Sequence, residues 1–149
     1  MQLLCRLCIC TALFVESAPH LHGQTVAAAA DRVLETEVGD ATYYASRFQG
    51  RTTASGRKFD GNKAVAAHRT YPFGTVVRVT NLRNGRSVNV VIIDRGPYGK
   101  NQREGAVIDL SPSAAKKLGI LKTGQERVKV EVLAWGDDQY VNDADGIAE

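Results

Sequence analysis

From residue 75 to residue 134 the chain repeatedly alternates apolar and polar positions with a period of two, the pattern of half-buried strands. TVVRVTN (75–81) and RSVNVVII (86–93) are β-branched runs separated by Asn84-Gly85, a dipeptide that predicts a hairpin. AVIDL (106–110) predicts another short strand, and ATYYAS, from residue 41, a further one. In RVKVEVLA (127–134), Val128, Val130 and Val132 fall on one face. One helix is defined at both ends. Ser111 caps it, Pro112 takes the first helical position and Gly119 stops it, with Ala114, Ala115 and Leu118 as the apolar side. NKAVAAH (62–68) predicts a second, shorter helical turn. Several short strands with one or two short helices predict a mainly β fold, a small closed barrel.

The two ends of the chain have a different character. MQLLCRLCICTALFV is a short apolar run with Arg6 near its start, and it predicts a secretory signal peptide over residues 1–23 rather than a membrane span. All three cysteines, Cys5, Cys8 and Cys10, lie in it, so the mature protein depends on its core and not on disulfides. No small residue precedes Cys8 or Cys10, so lipoprotein anchoring is not expected. No other Cys or His group stands ready to complete a metal site with the Cys-x-x-Cys pair, and His20 and His22 sit in the cleavage zone, so no metal is expected. Residues 24–38 are polar and Ala-rich and read as a linker, residues 39–134 as the barrel, and residues 135–149 as an acidic, frayed tail.

Composition changes this picture little. At 149 residues, 44% hydrophobic and 23% charged, the chain fits one globular domain with a real core. A formal charge of +3 suits a polyanionic surface such as cell wall but decides little.

Four stretches hold the candidate chemistry: TTASGRKFDGN (52–62), AAHRTYPFGT (66–75) with His68, VIIDRGPYG (91–99) with Asp94, and VIDLSPSAA (107–115) with Asp109. Asp94 poses a physical question, because an apolar strand delivers a carboxylate to its end and burying a charge is costly unless something pairs with it or uses it. Taken alone, Asp before Gly-Pro is turn chemistry. Asp109, just ahead of the Ser111 cap, reads as structural, and Asp60 beside Gly61-Asn62 as a turn residue.

The order YYASRF, GRTTASG, FD, AAHRTYPFGTVVRVTNLRNGRSVNVVIIDRGPYG and GAVIDLSPSAAKKLGI closely resembles the rare lipoprotein A family over about residues 39 to 134. These are bacterial cell-wall proteins with a six-stranded double-psi β-barrel, and some are lytic transglycosylases. The resemblance implies an endolytic enzyme that cuts peptidoglycan between N-acetylmuramic acid and N-acetylglucosamine to give 1,6-anhydro products. It implies no cofactor, no nucleic-acid partner, and an exported location, periplasmic or extracellular. Carried over residue by residue, the family's catalytic Asp falls on Asp94 and its active-site His on His68. The Glu that commonly follows TASG is Arg57 here. Many members also end in a peptidoglycan-binding SPOR domain, for which these 149 residues leave no room.

His68 is then expected to orient Asp94 or a sugar hydroxyl, and Arg95 to face substrate or a structural carboxylate. Tyr43, Tyr44, Phe73 and Tyr98 are candidate apolar faces for sugar rings, while Thr53, Ser55 and Asn81 are candidate hydrogen-bonding groups, with Arg57 reaching for a peptide carboxylate. The rival reading is a non-catalytic, expansin-like glycan-binding module, and Arg57 is the feature that favours it. A secreted inhibitor on the same barrel has no positive feature in the sequence.

Overall fold

The computed structural model describes residues 32–138. The stretch predicted as a signal peptide, with Cys5, Cys8, Cys10, His20 and His22, and the tail beyond Asp138 lie outside the described residues. Six strands, β1 (Glu35–Tyr43), β2 (Val65–His68), β3 (Val76–Asn81), β4 (Ser87–Asp94), β5 (Ala106–Leu110) and β6 (Glu126–Ala134), close into a barrel in the order β1-β5-β2-β4-β3-β6. Two pairs, β1 with β5 and β2 with β4, are parallel, and the other four pairs are antiparallel. Closure removes the sheet edges, and the architecture is the predicted one.

The period-two pattern is what fills the barrel. Val77 and Val79 of β3, Val90 and Ile92 of β4, and Val128, Val130 and Val132 of β6 all point inward and are almost wholly buried. Ile108 and Leu110 join them from β5, and each such side chain contributes about 1.5–3 kcal/mol by leaving water. The helix α2 (Pro112–Leu118) has the predicted ends: Ser111 Oγ accepts from the Ala114 amide, and Gly119 closes it with φ +75°. Its buried face, Ala114, Ala115 and Leu118, covers the barrel core. A short helix, α1 (Gly99–Arg103), follows β4 and has no apolar stripe to announce it.

Three expectations are corrected. NKAVAAH is not a helical turn: residues 65–68 are β2, paired with β4 on one side and β5 on the other. Alanine's helix propensity loses here to two ladders of hydrogen bonds, and the small side chains of Ala66 and Ala67 suit a fully buried strand. The first strand begins at Glu35, inside the stretch assigned to the linker. Its outward Glu35 and Glu37 and exposed Val38 hide the strand from a hydrophobic pattern. Finally, residues 135–138 are not frayed. The Gly136 amide donates to Thr75 Oγ1 at 3.0 Å, and Asp138 Oδ1 accepts from the Phe73 amide at 2.7 Å.

Candidate active cleft

The end of β4 and the end of β5 open onto a cleft of about 380 Å³. Asp94, Arg95 and Gly96 line it from the β4 end, and Asp109 from β5. The segment before β2 contributes Phe48, Arg51, Thr52, Thr53 and Phe59, and Tyr44 and Tyr98 complete the lining.

Asp94 is neither orphaned nor tied wholly to its own backbone. One oxygen, Oδ1, accepts from the amides of Ala54 at 2.8 Å and Arg95 at 2.9 Å. The other, Oδ2, accepts from the Tyr44 hydroxyl at 2.7 Å. Burial, reinforced by the bond to Asp94, pushes the Tyr44 hydroxyl well above its ordinary range, so Tyr44 stays a donor. Its ring rests on Phe59, 4.5 Å between centroids, and meets Phe48 edge-on at 5.3 Å. Three donors thus hold the carboxylate at the cleft surface, which answers the question its position raises.

Asp109, read from the sequence as structural, also lines the cleft. It faces Thr42 across the parallel β1–β5 pair, and Thr42 Oγ1 donates to its Oδ1. Its other oxygen turns toward Gly96, whose φ of +149° few side chains tolerate and where an added Cβ would lie 3.4 Å from Asp109 Oδ2. Burial pushes the Asp109 carboxyl up; hydrogen bonds from Thr42 and Asn101 oppose this, and the charge of Asp94 adds to it. Two carboxyl groups therefore share one cleft. The signal was present: an Asp inside the apolar run AVIDL poses the same question as Asp94.

Several predicted residues fall elsewhere. His68 does not line the cleft and is 3% exposed. Its Nδ1 accepts from the Tyr71 amide at 3.1 Å, so Nε2 carries the proton and donates to Glu37 Oε2 at 2.9 Å. The ring stacks on Tyr71 at 3.6 Å, and Tyr71 in turn donates to Glu35 Oε1 at 3.1 Å. Burial pulls the His68 pKa down, with Glu37 opposing. The ring therefore meets Glu37 and Tyr71 and not Asp94, with which it was expected to bond. Its link to the site is the backbone. Arg95 Nη1 donates to the carbonyls of Tyr71 at 2.8 Å and His68 at 3.5 Å. The guanidinium also lies 3.7 Å over the Phe73 ring and 3.6 Å from Asp138, so Phe73 holds Arg95 and not a sugar.

His68→Ala keeps those carbonyls but strips Glu37 and the buried Tyr71 amide of their partner. It is expected to lower stability by about 2–3 kcal/mol, measured by urea unfolding, while the folded fraction keeps most of its activity. Loss of activity comparable to that of an Asp94 variant, at unchanged stability, would restore a chemical role for the ring.

Asn81 is fully buried and ties β3 to α2, donating to the Leu118 carbonyl at 3.2 Å, so it does not reach substrate. Tyr43 donates to the Leu121 carbonyl at 3.1 Å and does not line the cleft. Ser55 is 3% exposed and bonds Thr53 Oγ1 at 3.0 Å, shaping the loop beneath the cleft. Arg57 does not line the cleft either; its carbonyl accepts from the Thr53 amide and hydroxyl, at 2.7 and 3.0 Å. Thr53, Tyr44, Arg95 and Tyr98 line the same cleft as Asp94, and Tyr98 is 61% exposed. Among the described residues no group of three or more His, Cys, Asp or Glu could hold a metal ion, and no helix is long and apolar enough to cross a membrane.

The family model described as "Lytic transglycolase" matches residues 36–130. The endolytic peptidoglycan transglycosylase RlpA of Neisseria meningitidis is 45% identical over 106 residues, 71% of this chain and 43% of that protein. The protein of the same name from Pseudomonas aeruginosa is 51% identical over 94 residues, 63% of this chain and 26% of that one. The chain thus spans less than half the length of these relatives. Among solved structures, the Streptomyces papain inhibitor aligns with a TM-score of 0.54 at 25% identity, covering 68% of this chain and 97% of that one. The apo expansin of Clavibacter michiganensis aligns with a TM-score of 0.51 at 25% identity, covering 66% of this chain and 50% of that one.

Proposed function

From a chain that belongs to the lytic transglycolase family, in its rare lipoprotein A branch, we infer an exported bacterial cell-wall enzyme, periplasmic or extracellular, that cleaves peptidoglycan glycan strands without water. The observation that carries this reading is the pair of carboxyl groups, Asp94 and Asp109, in one open cleft walled by aromatic and hydroxyl side chains. The substrate is the bond between N-acetylmuramic acid and N-acetylglucosamine.

The roles follow from the surroundings. Asp109, raised by burial and by its charged neighbour, carries the proton. It passes that proton to the leaving oxygen as the bond to the muramic acid anomeric carbon breaks. Positive charge then grows on the sugar ring, and Asp94 opposes it with a negative charge already held by Ala54, Arg95 and Tyr44. The C6 hydroxyl of the same muramic acid closes onto the anomeric carbon and returns its proton to Asp109. One new C–O bond replaces one broken C–O bond, and the carboxyl is regenerated. The exposed Tyr98 and the half-buried Phe48 are the faces on which sugar rings stack.

Arg57, standing where the family commonly has Glu, favours a second reading, a strand-binding module without turnover. Product analysis separates the two. The purified full chain incubated with sacculi is expected to release anhydro-muropeptides, each lighter by one water than the hydrolysis product, read by mass spectrometry. Reducing-end products would identify a hydrolase, which two carboxyl groups can also serve. Tight pelleting with no soluble product would identify the binder.

A further inference from the structure

Asp109 is served by a side chain that does not itself line the cleft. Asn101 lies in α1, and its side-chain amide donates to Thr42 Oγ1 at 3.4 Å. Thr42 Oγ1 in turn donates to Asp109 Oδ1. Neither Asn101 nor Thr42 is part of the cleft lining; Thr42 is buried and Asn101 half-buried. The line of groups therefore runs from α1 through β1 to β5, across 59 and then 67 positions of sequence.

A hydroxyl has one proton and two lone pairs, and an amide nitrogen only donates. Toward Asn101, Thr42 can therefore only accept, and its single proton is left for Asp109 Oδ1. The oxygen that accepts it is the carbonyl oxygen of a neutral carboxyl, so the acid's own proton sits on Oδ2. Oδ2 is the oxygen turned to Gly96, which lines the cleft; an added Cβ there would stand 3.4 Å from it, and glycine leaves that approach open. The titratable groups that face Asp109 are Asp94 from β4 and Tyr44 from the end of β1. Neither supplies a positive charge, so the neutral hydrogen bonds of Thr42 and Asn101 are what oppose burial and the charge of Asp94.

We propose that Asn101 is a positioning residue of the reaction: through Thr42 it fixes which oxygen of Asp109 carries the proton, and so aims that proton into the cleft at the leaving oxygen. The proposal rests on the reading of Asp109 as the acid. If Asn101 merely pinned α1 to the barrel, its loss would lower stability and leave the titration of Asp109 in place.

The test uses the full chain. Asn101→Leu removes the amide, Asn101→Asp replaces the donor by an acceptor, and Asn101→Gln restores the amide on a longer stem. In Asn101→Leu, kcat for anhydro-product release from soluble glycan strands is expected to fall about tenfold, the scale of one hydrogen bond. KM should stay within about twofold, because the lost interaction acts on the acid and not on the strand. The alkaline limb of activity should move to higher pH, since the ionised carboxyl has lost a donor. Asn101→Asp should show both effects more strongly: Thr42 then turns its proton away from Asp109, and a further negative charge faces it. Asn101→Gln should recover most of the loss. The Asp109 carboxyl signal, assigned by its disappearance in Asp109→Asn and followed by carbon-13 NMR with no strand present, should titrate at higher pH in Asn101→Leu and Asn101→Asp and close to the parent in Asn101→Gln. An Asp109 titration unmoved in all three overturns the proposal. A moved titration with unchanged kcat overturns the proposal together with the reading of Asp109 as the acid. A rise in KM that accounts for the whole loss overturns positioning in favour of strand contact. If Asn101→Leu does not fold, the near-isosteric Thr42→Val set against Thr42→Ser, which keeps the proton, makes the same comparison, and equal activity and titration in the two overturn the proposal. The titration needs no strand, so its outcome is separate from failure of the cell-wall reading, which would show as absence of anhydro product from the parent.

Discussion

Asp94→Asn should cut release of anhydro-muropeptides by about a thousandfold, the scale of removing one preorganised charge from a reacting centre. The substitution is close to isosteric. The amide oxygen can still accept from the Ala54 and Arg95 amides, and the amide nitrogen can donate to the Tyr44 oxygen, so the loop keeps its anchors. Only the negative charge is lost. A folded variant, with a melting temperature within a few degrees of the parent, should therefore bind strands and fail to cut them. Activity within tenfold of the parent, measured by chromatography of released products, would remove Asp94 from the chemistry. Tyr44 would then have to be explained as a packing residue whose hydroxyl happens to meet a carboxylate.

Asp109→Asn should combine two effects that do not usually travel together. Activity falls by about 10²–10⁴, the contribution of a positioned acid, because an amide cannot deliver the proton. Stability at neutral pH rises. The sign follows from linkage: burial raises the Asp109 pKa in the folded protein above its unfolded value. Its folded form is therefore fully accommodated below the unfolded pKa, and stability is lost as pH rises through the folded one. An amide stays neutral throughout and can still accept from Thr42. The variant should gain over the parent at pH 7 and above, and the gain should vanish toward about pH 3, below the unfolded pKa, where the parent carboxyl is protonated in both states. Thermal unfolding across that range reads it. The parent's activity should fall on the alkaline side as Asp109 gives up its proton. A variant that is inactive but destabilised at pH 7 would mean that Asp109 is needed as a charged anchor, the structural role first assigned to it.

The two carboxyl groups show how unevenly the site could be read. Asp94 stands out because it ends a long β-branched run and precedes a turn, both local features. Asp109 has one apolar residue after it and a helix cap beyond, so its neighbours in sequence explain it away. Its actual partners, Thr42 and Gly96, come from other parts of the chain, and Thr42 is 67 positions distant. His68 erred in the opposite direction. The motif around it is distinctive, yet β2 gives its ring to Glu37 and Tyr71 and leaves only its carbonyl in reach of Arg95.

What the amino-acid order alone determined is everything set by near neighbours. The valine alternations specified β3, β4 and β6, the Asn84-Gly85 turn joined two of them, and Ser111, Pro112 and Gly119 bounded α2. What only the tertiary structure decided is which face each short or Ala-rich strand presents, and hence which polar groups meet. The parallel pairs β1–β5 and β2–β4 join strands that are distant in sequence, and each contains a register shift. A shift of one residue turns a side chain to the opposite face. Local pattern carries no information about that shift, so the chain could announce a carboxylate at a strand end but not the company it would keep.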